Sequence, residues 1–205
     1  ALLLITGCAP SNVVRIDQGG PQEHLVELEK QLHEDSRQLE EELKHKGAVY
    51  ADPEMTQYVQ ALGGRLTAAL PNTTDLTYEF RIIRDPTVNA FAIPNGRTYY
   101  HFGLITKTRN PEMLSAIMAH EVSHILHRDS LYQREDLRQK TVVTKLIQIP
   151  LVTGAALVGV GGIANLALNA LYATSVTGYG RDKESQADRF AMECLAELQM
   201  NPAAV

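Results

Sequence analysis

The stretch AHEVSHILHRD, residues 119–129, constrains the fold of this 205-residue chain more than any other feature. Four residues of an α-helix turn about 400°, so His120 and His124 project from one face, roughly 6 Å apart along the axis. Both imidazoles can then reach one ion at about 2.0–2.1 Å. Glu121 is rotated from that line by about 100°, so it can face a metal-bound water rather than the metal itself. The stretch therefore predicts part of a catalytic metal site on one helix.

Two histidines do not complete such a site, so the fold must bring a third ligand from elsewhere. A catalytic zinc ion usually takes three protein ligands and keeps its fourth position for water. His127 lies only three residues after His124, whereas the extended zinc motif places its third histidine six residues on, after a glycine. We predict that His127 is a polar surface residue. Taken alone, the motif is also compatible with a solvent-facing helix that contains incidental histidines.

A better source of the third ligand is the segment GYGRDKESQADRFAMECLAEL, residues 178–198. Asp182 is predicted to cap a helix here, on which Glu184 and Asp188 lie four residues apart on one face. One carboxylate can bind zinc while the other accepts a hydrogen bond from a ligand imidazole and fixes its tautomer. A solvated helix face would explain the same pair, but not its occurrence together with the histidine motif. Apolar residues follow four-residue steps along this segment: Phe190, Cys194 and Leu198.

Two amphipathic helices are predicted near the start of the chain. Residues 23–46 carry leucines at three- and four-residue steps, which is the period of a helix with one apolar face. A second such pattern follows Asp52-Pro53, a pair that combines an N-cap with a proline in the first turn. We interpret both helices as packing elements.

Extended structure is predicted between these helices and the histidine helix. Residues 76–83 alternate in the manner of a half-buried strand, and Asn95-Gly96 predicts a tight hairpin within NAFAIPNGRTYYHFGLI, residues 89–105. Asn110-Pro111 then starts the histidine helix. We therefore predict an α+β fold, mostly helical, with a small antiparallel sheet that precedes the histidine helix.

The composition is that of a globular protein and argues against a nucleic-acid partner. Hydrophobic residues make up 44% and charged residues 21% of the chain, and the net charge is -5. A nucleic-acid surface would need clustered Lys and Arg. We predict a single domain over residues 23–205, a size that can bury a core of its own. Because the chain stops at NPAAV, just after a helix-start signal, this domain is expected to be cut short at its C-terminus.

The N-terminal residues ALLLITGC resemble the end of a bacterial lipoprotein signal. Residues 1–8 are therefore interpreted as a signal-peptide remnant, with Cys8 as the lipidated residue, and residues 9–22 as a tether rich in Pro, Gly, Asn and Gln. A plain secretory segment or a stray apolar end is the alternative. Ala9 favours the outer membrane, which would make the protein a periplasm-facing lipoprotein of the cell envelope. Cys194 is expected to be a buried side chain.

Residues 146–180 contain no charged residue. About 20 apolar residues are enough to span a bilayer. Pro150, several glycines and two asparagines weaken a continuous span. A single span would also place Glu184 across the membrane from His124. We therefore favour helices that pack on the domain, with the glycine-rich part as a mobile cover over the cleft, and keep a membrane span as the alternative.

Three ordered blocks give the chain a resemblance to a known family. NAFAIPNG with the following GLI, AHEVSHILHRD and RDKESQADRFA together resemble the HtpX and CAAX-prenyl-protease-like zinc metallopeptidases, in particular their soluble periplasmic lipoprotein members. The resemblance covers most of residues 50–200 and implies a zincin-like fold of the gluzincin type. Two departures are an asparagine at 95, where glycine is common, and His101-Phe102 in place of Asn-Thr.

The resemblance implies a role for each matching residue. His120, His124 and Glu184 would bind one zinc ion per chain, with Glu121 as general base. Asp188 would orient His120. The strand Asn89, Ala90, Phe91, Ala92 would be the edge to which an extended substrate pairs. Arg181, His101 and Tyr179 are the candidates for stabilising the oxyanion of the tetrahedral intermediate.

These assignments predict a zinc endopeptidase that cleaves unfolded, misfolded or envelope polypeptides by means of a zinc-bound water activated by Glu121. One alternative is a membrane-tethered, chaperone-like binding protein with a structural zinc site. A general base at Glu121 argues against this alternative, because a purely structural site needs none. The other alternative is a helical structural protein that binds no metal.

Overall fold

A computed structural model of the chain describes residues 14–70, 76–143 and 178–204. These ranges contain six α-helices and three β-strands. In chain order they are α1 (Val26–His45), α2 (Pro53–Ala68), β1 (Glu79–Ile83), β2 (Ala90–Ile93), β3 (Arg97–His101), α3 (Phe102–Ile105), α4 (Pro111–Leu126), α5 (Asp129–Val143) and α6 (Arg181–Glu197). Short 3-10 helices cover Ile16–Gln18, Glu23–Leu25 and Pro202–Ala204.

Local start signals determine where two of the helices begin. Asp52 and Asn110 each accept a hydrogen bond from the main-chain N–H three residues ahead, at 2.9 and 2.8 Å, and each is followed by proline. Both predicted caps are confirmed. The predicted cap at Asp182 is wrong, because Gly180 occupies the N-cap position and α6 begins at Arg181. Asp182 instead lies in the first turn, where its charge favours the helix dipole.

The hairpin predicted at Asn95-Gly96 joins β2 and β3, which pair in antiparallel fashion. Its loop covers residues 94–96, and Gly96 has φ +91. A Cβ at this position would lie 2.6 Å from the carbonyl oxygen of Thr77, so both the backbone conformation and the space favour glycine. The left-handed residue of the turn is therefore Gly96 and not Asn95.

The sheet as a whole is mixed, so the predicted antiparallel sheet is only partly right. Strand order is β1-β3-β2, and β1 runs parallel to β3. β3 therefore lies between β1 and β2, and these two strands, which follow each other in the sequence, do not pair with each other. Gly103 permits the close crossing at the end of β3, because a Cβ there would lie 1.9 Å from the carbonyl oxygen of Pro86.

Helices cover both faces of this sheet. One apolar cluster joins the leucines of α1 to Ile83, Phe91, Ile93 and Tyr99 of the sheet and to Leu131 of α5. The other cluster joins α2, α4 and α6 to the opposite sheet face through Phe80, Ile82 and Tyr100. Ile83 lies on the same face of β1 as Glu79 and Arg81, and it is buried because α1 covers that face.

Small side chains let α4 and α6 pack closely, which brings the two predicted ligand segments together. Ala119 of α4 and Ala187 and Ala191 of α6 are all buried. Cys194 lies in the same interface region and is buried, as predicted. This contact therefore positions residues that are more than 60 positions apart in the chain.

Residues before α1 are attached to the domain through Arg128. Its guanidinium donates to the carbonyl oxygens of Val14 and Gly19 at 2.7 and 2.8 Å and to the carboxylate of Glu29 at 2.6 Å. The main-chain N–H of Val14 also donates to the hydroxyl of Tyr132 at 2.9 Å. The described part of the predicted tether, from residue 14 onward, thus lies against the junction of α4 and α5.

Two predicted features lie outside the described residues. Cys8 and the signal-like residues lie outside the described residues, and so does nearly all of the segment 146–180, of which only 178–180 are described. Within the described ranges, no helix is both long enough and apolar enough to cross a bilayer.

Candidate metal centre

The site is formed by three side chains from α4 and α6. His120 Nε2 lies 3.1 Å from His124 Nε2 and 3.2 Å from Glu184 Oε2, and His124 Nε2 lies 3.9 Å from Glu184 Oε1. One donor atom from each residue lies within 4.8 Å of the others. The packing of α6 on α4 therefore brings both histidines and the downstream glutamate to one point.

These separations fit a single zinc ion. Zinc binds imidazole nitrogen at about 2.0–2.1 Å and carboxylate oxygen at about 2.0–2.2 Å in tetrahedral geometry, which places ligand atoms about 3.3–3.5 Å apart. Of the three observed separations, those of 3.1 and 3.2 Å are slightly shorter than this range and that of 3.9 Å is longer. Two imidazoles and one carboxylate are also a donor set known from catalytic zinc sites, with the fourth position left for water or substrate. The residues present therefore fit a catalytic zinc ion.

Each histidine ring is held from behind by a carboxylate. His120 Nδ1 lies 2.9 Å from Asp188 Oδ1, and His124 Nδ1 lies 2.8 Å from Asp129 Oδ2. A carboxylate at Nδ1 favours the tautomer with its proton on that nitrogen, which leaves Nε2 free to bind metal. Both rings are thus oriented with Nε2 toward the centre of the site.

The sequence did not lead us to predict the contact of Asp129 with His124, although Asp129 is the last residue of the stretch that contains the motif. α4 ends at Leu126, and Arg128 adopts a left-handed conformation with φ +55. The helix is interrupted there, and the side chain of Asp129, the first residue of α5, contacts the ring of His124. A carboxylate five residues after the second histidine, just beyond the end of the helix, was the available signal.

Glu121 lies in the same cleft but outside the group of metal-binding donors. Burial is the main reason that the pKa of Glu121 is raised to about 7. His124 opposes this increase, and the nearby Glu184 carboxylate adds to it. A carboxyl group with a pKa near neutrality can both accept and donate a proton at physiological pH. Its position and its pKa both suit a proton-transfer group.

The cleft has a volume of about 370 Å³ and runs along the start of β2. Asn89 and Ala90 line it together with the histidines, Glu121, Tyr179 and Glu184. Among the described residues β2 pairs only with β3, so its other side has no strand partner. Of the four residues of the predicted substrate edge, Asn89 and Ala90 therefore border the metal centre, whereas Phe91 and Ala92 are buried.

Hydrogen bonding shows which groups of β2 point to this open side. The N–H of His101 donates to the carbonyl oxygen of Asn89 at 2.9 Å. Because opposed residues of an antiparallel pair alternate between bonded and non-bonded, Ala90 and Ala92 direct their N–H and C=O groups away from β3. The side-chain oxygen of Asn89 accepts the N–H of Ala90 at 3.0 Å. Phe91 is buried against α1.

The three oxyanion candidates lie in different environments. Tyr179 lines the cleft, with its ring centroid 4.3 Å from that of His124 and its hydroxyl 2.7 Å from that of Ser130. Arg181 is exposed at the start of α6. His101 is buried near Phe91, with Nδ1 2.7 Å from the Thr87 hydroxyl, and does not line the cleft. The structure therefore brings only Tyr179 to the metal centre.

The prediction that His127 is a surface residue is wrong. His127 is 4% exposed, and its Nδ1 lies 2.8 Å from the carbonyl oxygen of Ser123, to which it can donate. Its ring meets Phe190 edge-on, with the centroids 6.2 Å apart. Because α6 covers this face of α4, burial also lowers the pKa of His127. His127 caps the end of α4 and takes no part in the metal-binding group.

Comparison with known proteins connects this site to characterised families. The sequence profile of peptidase family M48 matches residues 53–205. These residues include α4, α6 and the three side chains that converge at the candidate metal centre. Helix α1 and the residues bound by Arg128 precede the matched region.

Several curated proteins are similar to the chain. A putative beta-barrel assembly-enhancing protease of Vibrio cholerae is 33% identical over 162 residues, or 76% of this chain and 32% of that protein. The beta-barrel assembly-enhancing protease of Escherichia coli is 28% identical over 167 residues, 80% of this chain and 34% of that protein. The mitochondrial metalloendopeptidase OMA1 of Schizosaccharomyces pombe is 27% identical over 150 residues, 73% of this chain and 41% of that protein.

The chain spans about a third of the length of the beta-barrel assembly-enhancing proteases that it matches. The family match, in contrast, covers most of the chain and all the residues that converge at the metal centre. On the extent of that match, this chain belongs to peptidase family M48.

Proposed function

We propose that the protein is a zinc-dependent endopeptidase that hydrolyses peptide bonds of unfolded or misfolded polypeptides, including those of the bacterial cell envelope. The observation that carries this proposal is the convergence of His120, His124 and Glu184 in a cleft that also contains Glu121. Membership of a peptidase family supports the same reaction class. The names of the bacterial relatives, which refer to beta-barrel assembly, favour envelope proteins as substrates.

His120, His124 and Glu184 would hold the ion. Zinc, when bound, supplies a Lewis acid that polarises the scissile carbonyl group and makes water more acidic. Glu121 accepts a proton from the attacking water and passes it to the leaving amine. Burial raises the pKa of Glu121 in the zinc-free protein, so its carboxylate is a stronger base than a solvent-exposed one. Asp188 keeps the ring of His120 oriented throughout.

Substrate would bind as an extended strand against β2. The N–H and C=O groups of Ala90 point away from β3, and Ala90 lines the cleft, so they can pair with a peptide backbone beside the metal centre. Ala92 is buried and leaves no such edge exposed. The side chain of Asn89 would release the N–H of Ala90 when the peptide binds. In this mode of binding, the protein contacts the substrate mainly through main-chain hydrogen bonds and depends little on its side chains. A protease that acts on unfolded proteins of varied sequence needs such broad recognition.

Tyr179 is our candidate for stabilising the oxyanion. Burial raises the pKa of its phenol well above the usual range, so the group stays protonated and can donate a hydrogen bond. Ser130 can donate to the phenol oxygen at 2.7 Å, which would leave the Tyr179 hydrogen available to a substrate oxygen. This arrangement would stabilise the tetrahedral intermediate from the side of the cleft formed by Tyr179.

Removal of the metal tests the proposed function directly. We expect the purified protein to contain one zinc ion per chain and to cleave casein, to lose cleavage when a chelator removes the zinc, and to recover it when zinc is restored. Calcium or magnesium in place of zinc is the control and should not restore cleavage, since both ions prefer oxygen ligands. Cleavage that survives complete removal of zinc would contradict the proposal. Proteome-wide cleavage-site profiling would then identify substrates.

We further propose that Cys8 anchors the protein to the membrane. The protein exported in a bacterial host should fractionate with membranes, and the mass of its N-terminal peptide should include a diacylglycerol group on Cys8. Cys8→Ser should be misprocessed or released in soluble form, whereas Cys194→Ser should remain anchored because Cys194 is buried in α6. An unmodified Cys8 in the exported wild-type protein would contradict the anchor.

A further inference from the structure

The two carboxylates behind the histidine rings lie in very different environments. The side chain of Asp188 is 74% exposed, whereas that of Asp129 is 4% exposed. The rings differ in the same way, since His120 is 22% exposed and His124 is 4% exposed. A hydrogen bond to a charged group is stronger in a buried position than at a solvated surface. The buried pair should therefore contribute more to the orientation of its ring than the exposed pair.

We propose that Asp129 is a positioning residue that fixes the ring of His124 for metal binding, and that Lys183 holds Asp129 in place. This inference rests on the proposed function, since it assigns a support to one of the proposed zinc ligands. Asp129 would act only through His124, because its carboxylate contacts Nδ1 on the far side of the ring from the metal centre.

Lys183 links the two halves of the site. Its ammonium group lies 3.3 Å from Asp129 Oδ1 and 3.0 Å from the carbonyl oxygen of Asp129. Lys183 directly precedes Glu184 on α6, so the same helix turn supplies a proposed ligand and the partner of Asp129. Its ammonium group also lies 5.6 Å from the ring centroid of Tyr179, which packs on His124. Lys183 thus joins α6 to the junction of α4 and α5 directly behind the metal centre.

The two oxygens of Asp129 have separate partners. Oδ2 accepts from His124 and Oδ1 faces Lys183. A buried carboxylate is costly unless it is paired and hydrogen-bonded. Lys183 supplies that pairing, so the charge of Asp129 can remain buried next to the ring. An asparagine would keep the shape but lose the charge, and its amide could turn either its oxygen or its nitrogen toward Nδ1.

Asp129 is also the first residue of α5, where an acidic side chain stabilises a helix. A purely structural role would therefore predict a less stable α5 and no specific change in the ring of His124. The experiment must separate these two roles, which requires readouts from the zinc-free protein as well as from the zinc-bound one.

The test compares full-length wild-type protein with Asp129→Asn and with Asp136→Asn, an equivalent change at an exposed position of α5. Zinc affinity is measured by competition with a chelator, and thermal stability is measured on zinc-free protein. We expect Asp129→Asn to bind zinc about 10–100-fold more weakly, as for other partners behind metal-binding histidines. Asp136→Asn should match the wild type. Zinc affinity within twofold of wild type for Asp129→Asn would overturn the proposal.

The tautomer of His124 gives a readout that a structural role would not change. Nitrogen NMR of labelled, zinc-free protein, recorded at a pH where the ring is neutral, should show His124 with its proton on Nδ1. In Asp129→Asn this signal should shift toward a mixture of both tautomers. A wild-type ring protonated on Nε2 would overturn the positioning role. Because no zinc is present, this result is independent of whether the protein is a zinc peptidase.

Lys183→Met provides a second variant in case Asp129→Asn fails to fold. Methionine keeps most of the aliphatic stem and removes the charge, so the ion pair is lost while the packing is largely kept. We expect a smaller decrease in zinc affinity, several-fold, and little additional loss when the two changes are combined, since both act through Asp129. Lys107→Met, at an exposed position, is the control. Unchanged zinc affinity in Lys183→Met would remove Lys183 from the proposal.

Discussion

Replacement of Glu121 with glutamine is expected to slow peptide hydrolysis by roughly 10²–10⁴-fold while zinc content stays at the wild-type level. Glutamine has nearly the same shape but cannot accept a proton from water at neutral pH. Zinc should remain because Glu121 lies outside the group of donors formed by His120, His124 and Glu184. Steady-state cleavage of a fluorogenic peptide and elemental analysis of the same sample would measure both quantities.

Glu112→Gln is the matched control for this variant. Glu112 lies in the first turn of α4, on the same helix as Glu121 but distant from the metal centre, so its replacement should leave hydrolysis unchanged. The variant also tests the alternative of a chaperone-like binding protein with structural zinc. That alternative predicts equal suppression of aggregation, and equally absent hydrolysis, in wild-type protein and Glu121→Gln. Hydrolysis that is unaffected by the change would contradict the role of Glu121 as base.

The same variant should change the pH dependence of stability in zinc-free protein. Burial raises the pKa of Glu121 from 4.5 to about 7, so the unfolded chain loses this proton at lower pH than the folded protein does. The stability that results is complete below about pH 4.5 and is lost as the pH rises through 7. Zinc-free Glu121→Gln should therefore lose less thermal stability between these values than zinc-free wild type. Melting curves at a series of pH values would measure the difference.

Local signals in the sequence were sufficient for several elements. The caps at Asp52 and Asn110 and the turn at Gly96 depend on residues only a few positions away, and each appears in the structure. The spacing of His120 and His124 likewise determines their common face on one helix. Such features follow from the short-range geometry of the backbone, which a single sequence contains in full.

Features that depend on packing between distant segments could not be predicted in the same way. The parallel pairing of β1 with β3 requires the β2–β3 hairpin to return between the two outer strands. The burial of His127 depends on α6, which lies more than 50 residues further along the chain. Asp129 contacts His124 from just after Arg128, which adopts a left-handed conformation that is uncommon outside glycine and asparagine. No local pattern indicates that conformation at an arginine.

Replacement of Glu184 with alanine is expected to reduce zinc affinity by more than the 10–100-fold typical of a residue behind a ligand. Its carboxylate would provide the third donor, and two imidazoles alone would hold zinc less tightly. Asp188→Ala should be milder, within about 10–100-fold, because Asp188 contacts only the Nδ1 side of His120 and is largely exposed. Zinc content after dialysis against a chelator would rank the two variants.

The ranking is informative because Glu184 and Asp188 lie one turn apart on α6 and both face His120. If Asp188→Ala lost zinc completely and Glu184→Ala retained it, the two roles would be exchanged. If Glu184→Ala retained as much zinc as wild type, the ligand assignment would be wrong. Glu193→Ala, at an exposed position of the same helix, controls for the loss of a negative charge and should bind zinc normally. A selective loss in Glu184→Ala would thus identify the carboxylate that binds the metal.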